Sequence, residues 1–175
     1  MKLDLKTKFR RVLIPFVCMA IIIIADQITK VIVSGHANLH DGKFIIPKIL
    51  EYCYLHNDGV AYGMFSGGRI VFIGVTSVVI LLGICVLFSK WCQSSPLFTY
   101  AVAFVLGGGI GNLIDRVRLG YVIDFMRFPL SWFPYSFNVA DCFVVIGGAL
   151  LIAYIVFDTF TVKTPVEDKE EKDGE

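Results

Sequence analysis

The side chains best suited to chemistry in this sequence are carboxylates and their partners set in or beside apolar stretches: Asp26, Lys30, Asn112, Asp115, Arg116, Asp124, Asn138 and Asp141. Ionisable groups in such stretches are costly and usually mark a functional site. Close carboxylates share one proton rather than both ionise. Two chemistries fit that property: acid–base catalysis of a hydrolysis, or a proton relay through Asp26, Asp124, Asp141 and Arg116. A third reading is structural, with the polar groups only holding helices together. Histidine is absent from the group, so neither metal nor cofactor is expected. Cys142 follows Asp141, but no histidine lies near it in sequence to activate a thiol nucleophile.

Local structure offers each residue a simpler role. Asp26 and Lys30 are spaced i, i+4 and can be an ion pair on one helix. Asp115 beside Arg116 can form a salt bridge at a helix lip. Asn138 and Asp141 fit a capping box, with Asn138 as N-cap and Asp141 at N3. Capping explains those two residues without chemistry, but it does not explain Asp124.

The elements that must position these residues follow from hydrophobicity. The 175 residues are 56% hydrophobic and 18% charged, against about 45–50% and about 25% in soluble domains. Mean hydropathy is +0.72. About 20 apolar residues cross a bilayer as a helix. Four stretches qualify, at about 12–33, 70–88, 97–114 and 137–157. Lys2, Lys6, Lys8, Arg10 and Arg11 precede the first, which puts the N-terminus in the cytoplasm, and an even number of spans returns the C-terminus there. Lys90 and Lys163 then sit at cytoplasmic ends, while Arg116, Arg118 and Arg127 oppose the rule and call for specific roles outside. The first apolar run is too long for a cleavable signal peptide and lacks a small-x-small site, so it reads as a retained span.

Two segments lie outside in this topology. In 34–69, Phe44 to Tyr54 is rich in β-branched and aromatic residues and predicts a strand. Asn57-Asp58-Gly59 and Gly67-Gly68 predict turns. Segment 116–136 carries Phe125, Phe128, Trp132, Phe133 and Tyr135 and is expected along the interface. The fold class is therefore an all-α membrane protein. It comprises a four-helix transmembrane bundle with a small extracytoplasmic β-sheet and an interfacial segment, in one domain over 1–160. The mostly acidic tail, 161–175, is expected to be a disordered cytoplasmic extension. Five cysteines without a CxxC pair suggest neither a disulfide framework nor a zinc site. Gly107-Gly108-Gly109 and Gly147-Gly148 sit inside spans, where small residues let helices approach closely.

At about 1.5 Å per residue, Asp26 lies about 10 Å, Asn112 about 7 Å and Asp141 about 6 Å inside the outer ends of their spans. Three separate spans thus place polar groups in one thin layer, which argues for one site. A transporter would be expected to show internal repeats and a site nearer the midplane.

Five motifs in order resemble those of the bacterial lipoprotein signal peptidases, signal peptidase II. Asp26-Gln27-Ile28-Thr29-Lys30 is similar to that family's D-Q-x-S/T-K. Asn57-Asp58-Gly59-Val60-Ala61-Tyr62-Gly63 is similar to N-x-G-x-A-F-G/S, with Tyr62 in place of phenylalanine. Gly108-Gly109-Ile110-Gly111-Asn112-Leu113-Ile114-Asp115-Arg116 is similar to G-G-x-x-G-N-x-x-D-R. Val122-Ile123-Asp124-Phe125 resembles V-V-D-F, and Phe137-Asn138-Val139-Ala140-Asp141 resembles F-N-x-A-D.

The resemblance implies an aspartyl endopeptidase of the bacterial cytoplasmic membrane, with its site near the outer face. Its substrates would be prolipoproteins already carrying a diacylglyceryl group, cut just before the modified cysteine. The family's catalytic pair maps onto Asp124 and Asp141. Asn57, Gly59, Asn112, Arg116, Asn138, Asp26, Lys30 and Asp115 would support them or the substrate. Asn112 and Asn138 are expected to hydrogen-bond the carboxylates or the peptide, and Arg116 to donate to substrate carbonyls. Asn57 and Gly59 would hold the substrate from the outer sheet. Asp141, in the first turn of a helix, is expected to be the base. Asp124, in an aromatic-rich segment, is expected to be the acid. Membrane lipid and prolipoprotein are the expected partners, with no nucleic acid, and a monomer is expected.

Overall fold

The computed structural model describes residues 5–36, 43–59, 68–89, 92 and 95–161. The tail at 162–175, Lys90 and the glycines at 63 and 67 lie outside the described residues. Four helices account for most of the chain: α1 (Leu5–Gly35), α2 (Gly68–Leu87), α3 (Pro96–Arg118) and α4 (Val139–Thr161). Each is long and apolar enough to cross a membrane, over Leu13–Gly35, Arg69–Leu87, Pro96–Arg118 and Val139–Asp158. Their outward faces are apolar, with Ile21, Val31, Ile70 and Val145 all well exposed. An apolar exterior suits lipid as the solvent, where helices bond all their backbone groups internally.

The first two spans agree closely with the lengths of the apolar runs. The third continues beyond its predicted end and carries Asp115 and Arg116 on the helix itself. Ser95 caps its start: its hydroxyl accepts the Phe98 N–H at 3.3 Å, and Pro96 follows at the first helical position. Arg116 and Arg118 close its last turn, where positive charge complements the helix dipole. The fourth starts later than predicted, because Ser136 and Phe137 belong to a strand.

Helix α3 is the one on which the other three pack. Half of its apolar stretch is buried, against 11% for α2 and for α4. Two glycines permit this closeness. A Cβ on Gly108 would run into the Ala140 carbonyl oxygen, and one on Gly147 would stand 2.7 Å from the Ala101 carbonyl oxygen. The α3–α4 contact is therefore backbone against backbone, which suits helix association in lipid. Met19, Ile80, Val102 and Leu106 join α1, α2 and α3 in the apolar core.

A four-stranded antiparallel sheet, ordered β1-β2-β3-β4, covers one end of the bundle. Its strands are β1 (Phe44–Ile46), β2 (Leu50–Asn57), β3 (Val122–Arg127) and β4 (Ser136–Phe137). One expectation needs correction and another gains detail. The predicted single strand over Phe44 to Tyr54 is a hairpin. Its turn is closed by the Ile49 N–H on the Ile46 carbonyl (3.0 Å), with Lys48 at φ 62° after Pro47. Pro at the second position and a left-handed third residue are the chemistry of a tight turn. Within segment 116–136, expected along the interface, Val122–Arg127 forms an inner strand of the sheet. It pairs with β2, and Val122, Ile123 and Phe125 are buried. The aromatic loop after it does stay outward, with Trp132 and Tyr135 well exposed.

Candidate active site

The end of α1, the end of α3, the start of α4 and strand β3 converge beneath the sheet, and every predicted aspartate lies at that junction. Asp124 is completely buried on β3. Register explains its partner: Leu55 faces Asp124 across the β2–β3 pair, which makes Asn57 its diagonal neighbour on the same face. Asn57 Nδ2 donates to Asp124 Oδ2 at 2.8 Å. The Asn57 side-chain oxygen accepts the Gly59 N–H at 2.9 Å. That turn requires φ +74° at Gly59, where any Cβ would also stand 3.0 Å from the Phe72 ring.

Asp141 sits half-buried in the first turn of α4. The predicted capping box is present in both directions. Asp141 N–H donates to Asn138 Oδ1 (3.0 Å), and Asn138 N–H donates to Asp141 Oδ2 (3.0 Å). The cap also reaches Asp124, because Asn138 Nδ2 donates to Asp124 Oδ1 at 2.7 Å. Asn112 completes the ring: its Nδ2 donates to Asp141 Oδ1 at 2.7 Å, and its Oδ1 accepts from Asn138 Nδ2 at 3.0 Å. Each oxygen of both carboxylates thus accepts a side-chain or backbone N–H. Capping and site-building are therefore the same arrangement here, not competing ones.

Asp26 and Lys30 form the expected ion pair, at 2.8 Å and buried. Lys30 also pairs with Asp115 at 2.9 Å. The predicted Asp115–Arg116 lip salt bridge is not formed. Successive residues on a helix do not face each other, so Asp115 turns inward to Lys30 while Arg116 lies over the Phe72 ring, 5.6 Å from its centre. Two contributors were not anticipated. Gln27 Nε2 donates to Asp115 Oδ1 (3.0 Å) and to the Gly111 carbonyl (3.2 Å). Its amide within an apolar run, next to Asp26, was the available signal. Arg69 donates to the Arg116 and Val117 carbonyls, at 3.0 and 2.9 Å, and so completes the end of α3. A charge opening an otherwise apolar span was its signal.

Burial pushes the Asp124 carboxyl up from 3.8 to about 6. The hydrogen bond from Asn57 opposes that rise, the Asp141 charge adds to it, and the Asn138 bond and Lys30 charge oppose it. A carboxyl with that pKa exchanges protons near neutrality, as a general acid or base must. An apolar cleft of about 550 Å³ opens beside Asp141, walled by Phe128, Phe133, Phe137 and Ile146. Among the described residues no group of three His, Cys, Asp or Glu is arranged to hold a metal ion. The charge between Asp26 and Asp115 is supplied by Lys30.

Bundle, sheet and buried polar junction together define a multi-pass membrane protein of mostly helical build. Solved structures share the build. One bacterial membrane enzyme, determined at 2.3 Å by the in meso method, superposes with a TM-score of 0.71 at 30% identity, over 92% of this chain and 94% of that one. A second, at 1.9 Å, gives 0.73 at 30% identity, over 82% and 93%. A lipoprotein signal peptidase of Caldanaerobacter subterraneus subsp. tengcongensis is 40% identical over 142 residues, 81% of this chain and 94% of its own length. That of Enterococcus faecalis is 34% identical over 154 residues, 88% and 94%. Residues 18–157 match the profile of the family described as signal peptidase (SPase) II, and the chain belongs to that family of peptidases.

Proposed function

We propose that this chain is an aspartic endopeptidase that removes signal peptides from diacylglyceryl-modified prolipoproteins, with Asp124 and Asp141 as the reacting pair. The observation that carries the reading is the hydrogen-bonded ring Asp124–Asn138–Asn112–Asp141. It ties the buried Asp124 carboxyl to that of Asp141, which opens on an apolar cleft. Asp124 is the partner that keeps a proton more readily, since burial raises its carboxyl to about 6. Asp141 is the ionised partner, held by two N–H donors and the α4 dipole. Asp141 takes a proton from water as the water oxygen attacks the scissile carbonyl. Asp124 donates a hydrogen bond to the developing oxyanion, and a proton is delivered to the leaving nitrogen as the C–N bond breaks.

The apolar cleft suits the hydrophobic part of a signal peptide or an acyl chain, and lipid between the helices can host the remainder. Arg116, at the rim beside Phe72, is positioned to donate to peptide carbonyls. The basic N-terminus favours the bacterial cytoplasmic membrane with both termini inside, which puts the sheet and the pair at the outer face. One chain supplies every residue this reading assigns to the site, so a monomer suffices for it.

Cleavage of a purified diacylglyceryl-modified prolipoprotein in detergent tests this. Wild type should cut the lipidated substrate and leave the unmodified one intact. Asp124→Asn and Asp141→Asn should each lose about 10²–10⁴-fold in rate. Near-normal activity in either variant would refute the pair.

A further inference from the structure

Lys30 stands out because it touches neither Asp124 nor Asp141 yet is tied to the positioning of both. It is 2% exposed. An ammonium has three donors, and three acceptors surround this one: Asp26 Oδ2 at 2.8 Å, Asp115 Oδ2 at 2.9 Å and Asn112 Oδ1 at 3.0 Å. Each acceptor has a second task. Asp26 Oδ1 accepts the N–H of Ala140, the residue before Asp141, at 2.9 Å. Asp115 Oδ2 accepts the N–H of Ile123, the residue before Asp124, at 3.2 Å. Asn112 Oδ1, taking Lys30 and Asn138 together, leaves Nδ2 as the only end of that amide able to face Asp141.

We propose that Lys30 is the positioning residue of the site: it binds together the two carboxylates that hold the backbone beside Asp124 and Asp141, and it sets the direction of the Asn112 amide. This rests on the reading of Asp124 and Asp141 as the reacting pair. A plain ion pair between Asp26 and Lys30 would need neither the third acceptor nor the two backbone contacts. Charge is the second part of the role. The charged groups around the pair are Asp26 and Lys30 on α1 and Asp115 and Arg116 on α3, with Arg116 in range of both Asp124 and Asp141. Of these, Lys30 is the cation between the carboxylates, and its charge lowers the proton affinity of Asp124.

The test uses the full-length protein in detergent with lipidated prolipoprotein as substrate. Lys30→Met should lower kcat about 10²-fold while KM stays within about threefold, since small misplacement of reacting groups costs on that scale. Its kcat profile should move to higher pH, because a nearby positive charge favours an ionised Asp124. Lys30→Arg keeps the charge but not the geometry, so it should hold the profile near wild type and still lose kcat. Lys30→Met leaves two buried carboxylates without a counter-charge, which can prevent folding. The triple variant Lys30→Met, Asp26→Asn, Asp115→Asn removes that imbalance and decides the matter if the single variant does not fold. A folded single or triple variant with wild-type kcat and profile, altered only in melting temperature, would reduce Lys30 to a structural ion and overturn the proposal. Asp124→Asn and Asp141→Asn run alongside: if they stay active, the reacting pair itself is wrong. If they are inactive while the Lys30 variants match wild type, only the role of Lys30 fails.

Discussion

Replacing Asp124 by Asn should remove a pH-dependent weakness of the fold together with the activity. Asp124 is completely buried, and burial raises its pKa from 3.8 to about 6. Below about pH 3.8 the carboxyl is neutral in both folded and unfolded chains, and its contribution to stability is at its fullest. As pH rises towards about 6, the unfolded chain releases its proton while the folded chain still holds one, so stability falls. Above that, both states are ionised and the loss is complete. The two values lie about two pH units apart, which is about 3 kcal/mol at about 1.4 kcal/mol per unit.

Asn at this position does not titrate, so that slope should vanish. Asn also has one acceptor where the carboxylate has two, while Asn57 and Asn138 both donate to Asp124. One donor loses its partner, at about 1–3 kcal/mol independent of pH. The variant should therefore be less stable than wild type at pH 4 and equal or ahead at pH 8. The assay is reversible unfolding in mild detergent by SDS titration, followed by tryptophan fluorescence from pH 4 to 8. A difference between wild type and variant that stays constant across that range would refute the reasoning, because it would mean that Asp124 has an ordinary pKa in the folded protein.

Gly108→Val should destabilise the bundle by about 1–3 kcal/mol or more and lower kcat. The obstacle is the Ala140 carbonyl, which is backbone next to Asp141 and cannot rotate away; thermal unfolding and cleavage rates check both effects. Gly59→Ala should cost about 1–2 kcal/mol, the cost of a left-handed residue with a Cβ. It should also weaken the Asn57 contact with Asp124, read as a lower melting temperature together with slower cleavage.

Much of this protein is local enough to be read along the chain. Four apolar runs of bilayer length give four helices, because a helix in lipid needs only its own residues to bond its backbone. The Asp26–Lys30 pair and the Asn138–Asp141 cap follow from i, i+4 and i, i+3 spacing, and both are present. Convergence of Asp26, Asn112 and Asp141 in one layer follows from their distance to the span ends. Other features depend on which partner arrives from far away. Asn57 and Asp124 are separated by 67 residues, and Lys30 and Asn112 by 82. Only strand register and helix packing bring them to hydrogen-bond distance.

That Val122–Arg127 pairs as an inner strand is not legible in its composition, because the pairing depends on β2, far away in the chain. The turn at Lys48 was missed because Pro47 can end or turn a strand. Asp115 and Arg116 are adjacent in sequence but point apart on the helix, so adjacency suggested a bond that helical geometry forbids. The spans, the cap and the residues available for chemistry are legible along the chain, since those depend on hydrophobicity and short spacings. That one buried lysine joins Asp26, Asp115 and Asn112 follows from packing alone. A charge in the interior takes whatever partners the packed helices bring within reach, and no short-range pattern in the chain records which they are.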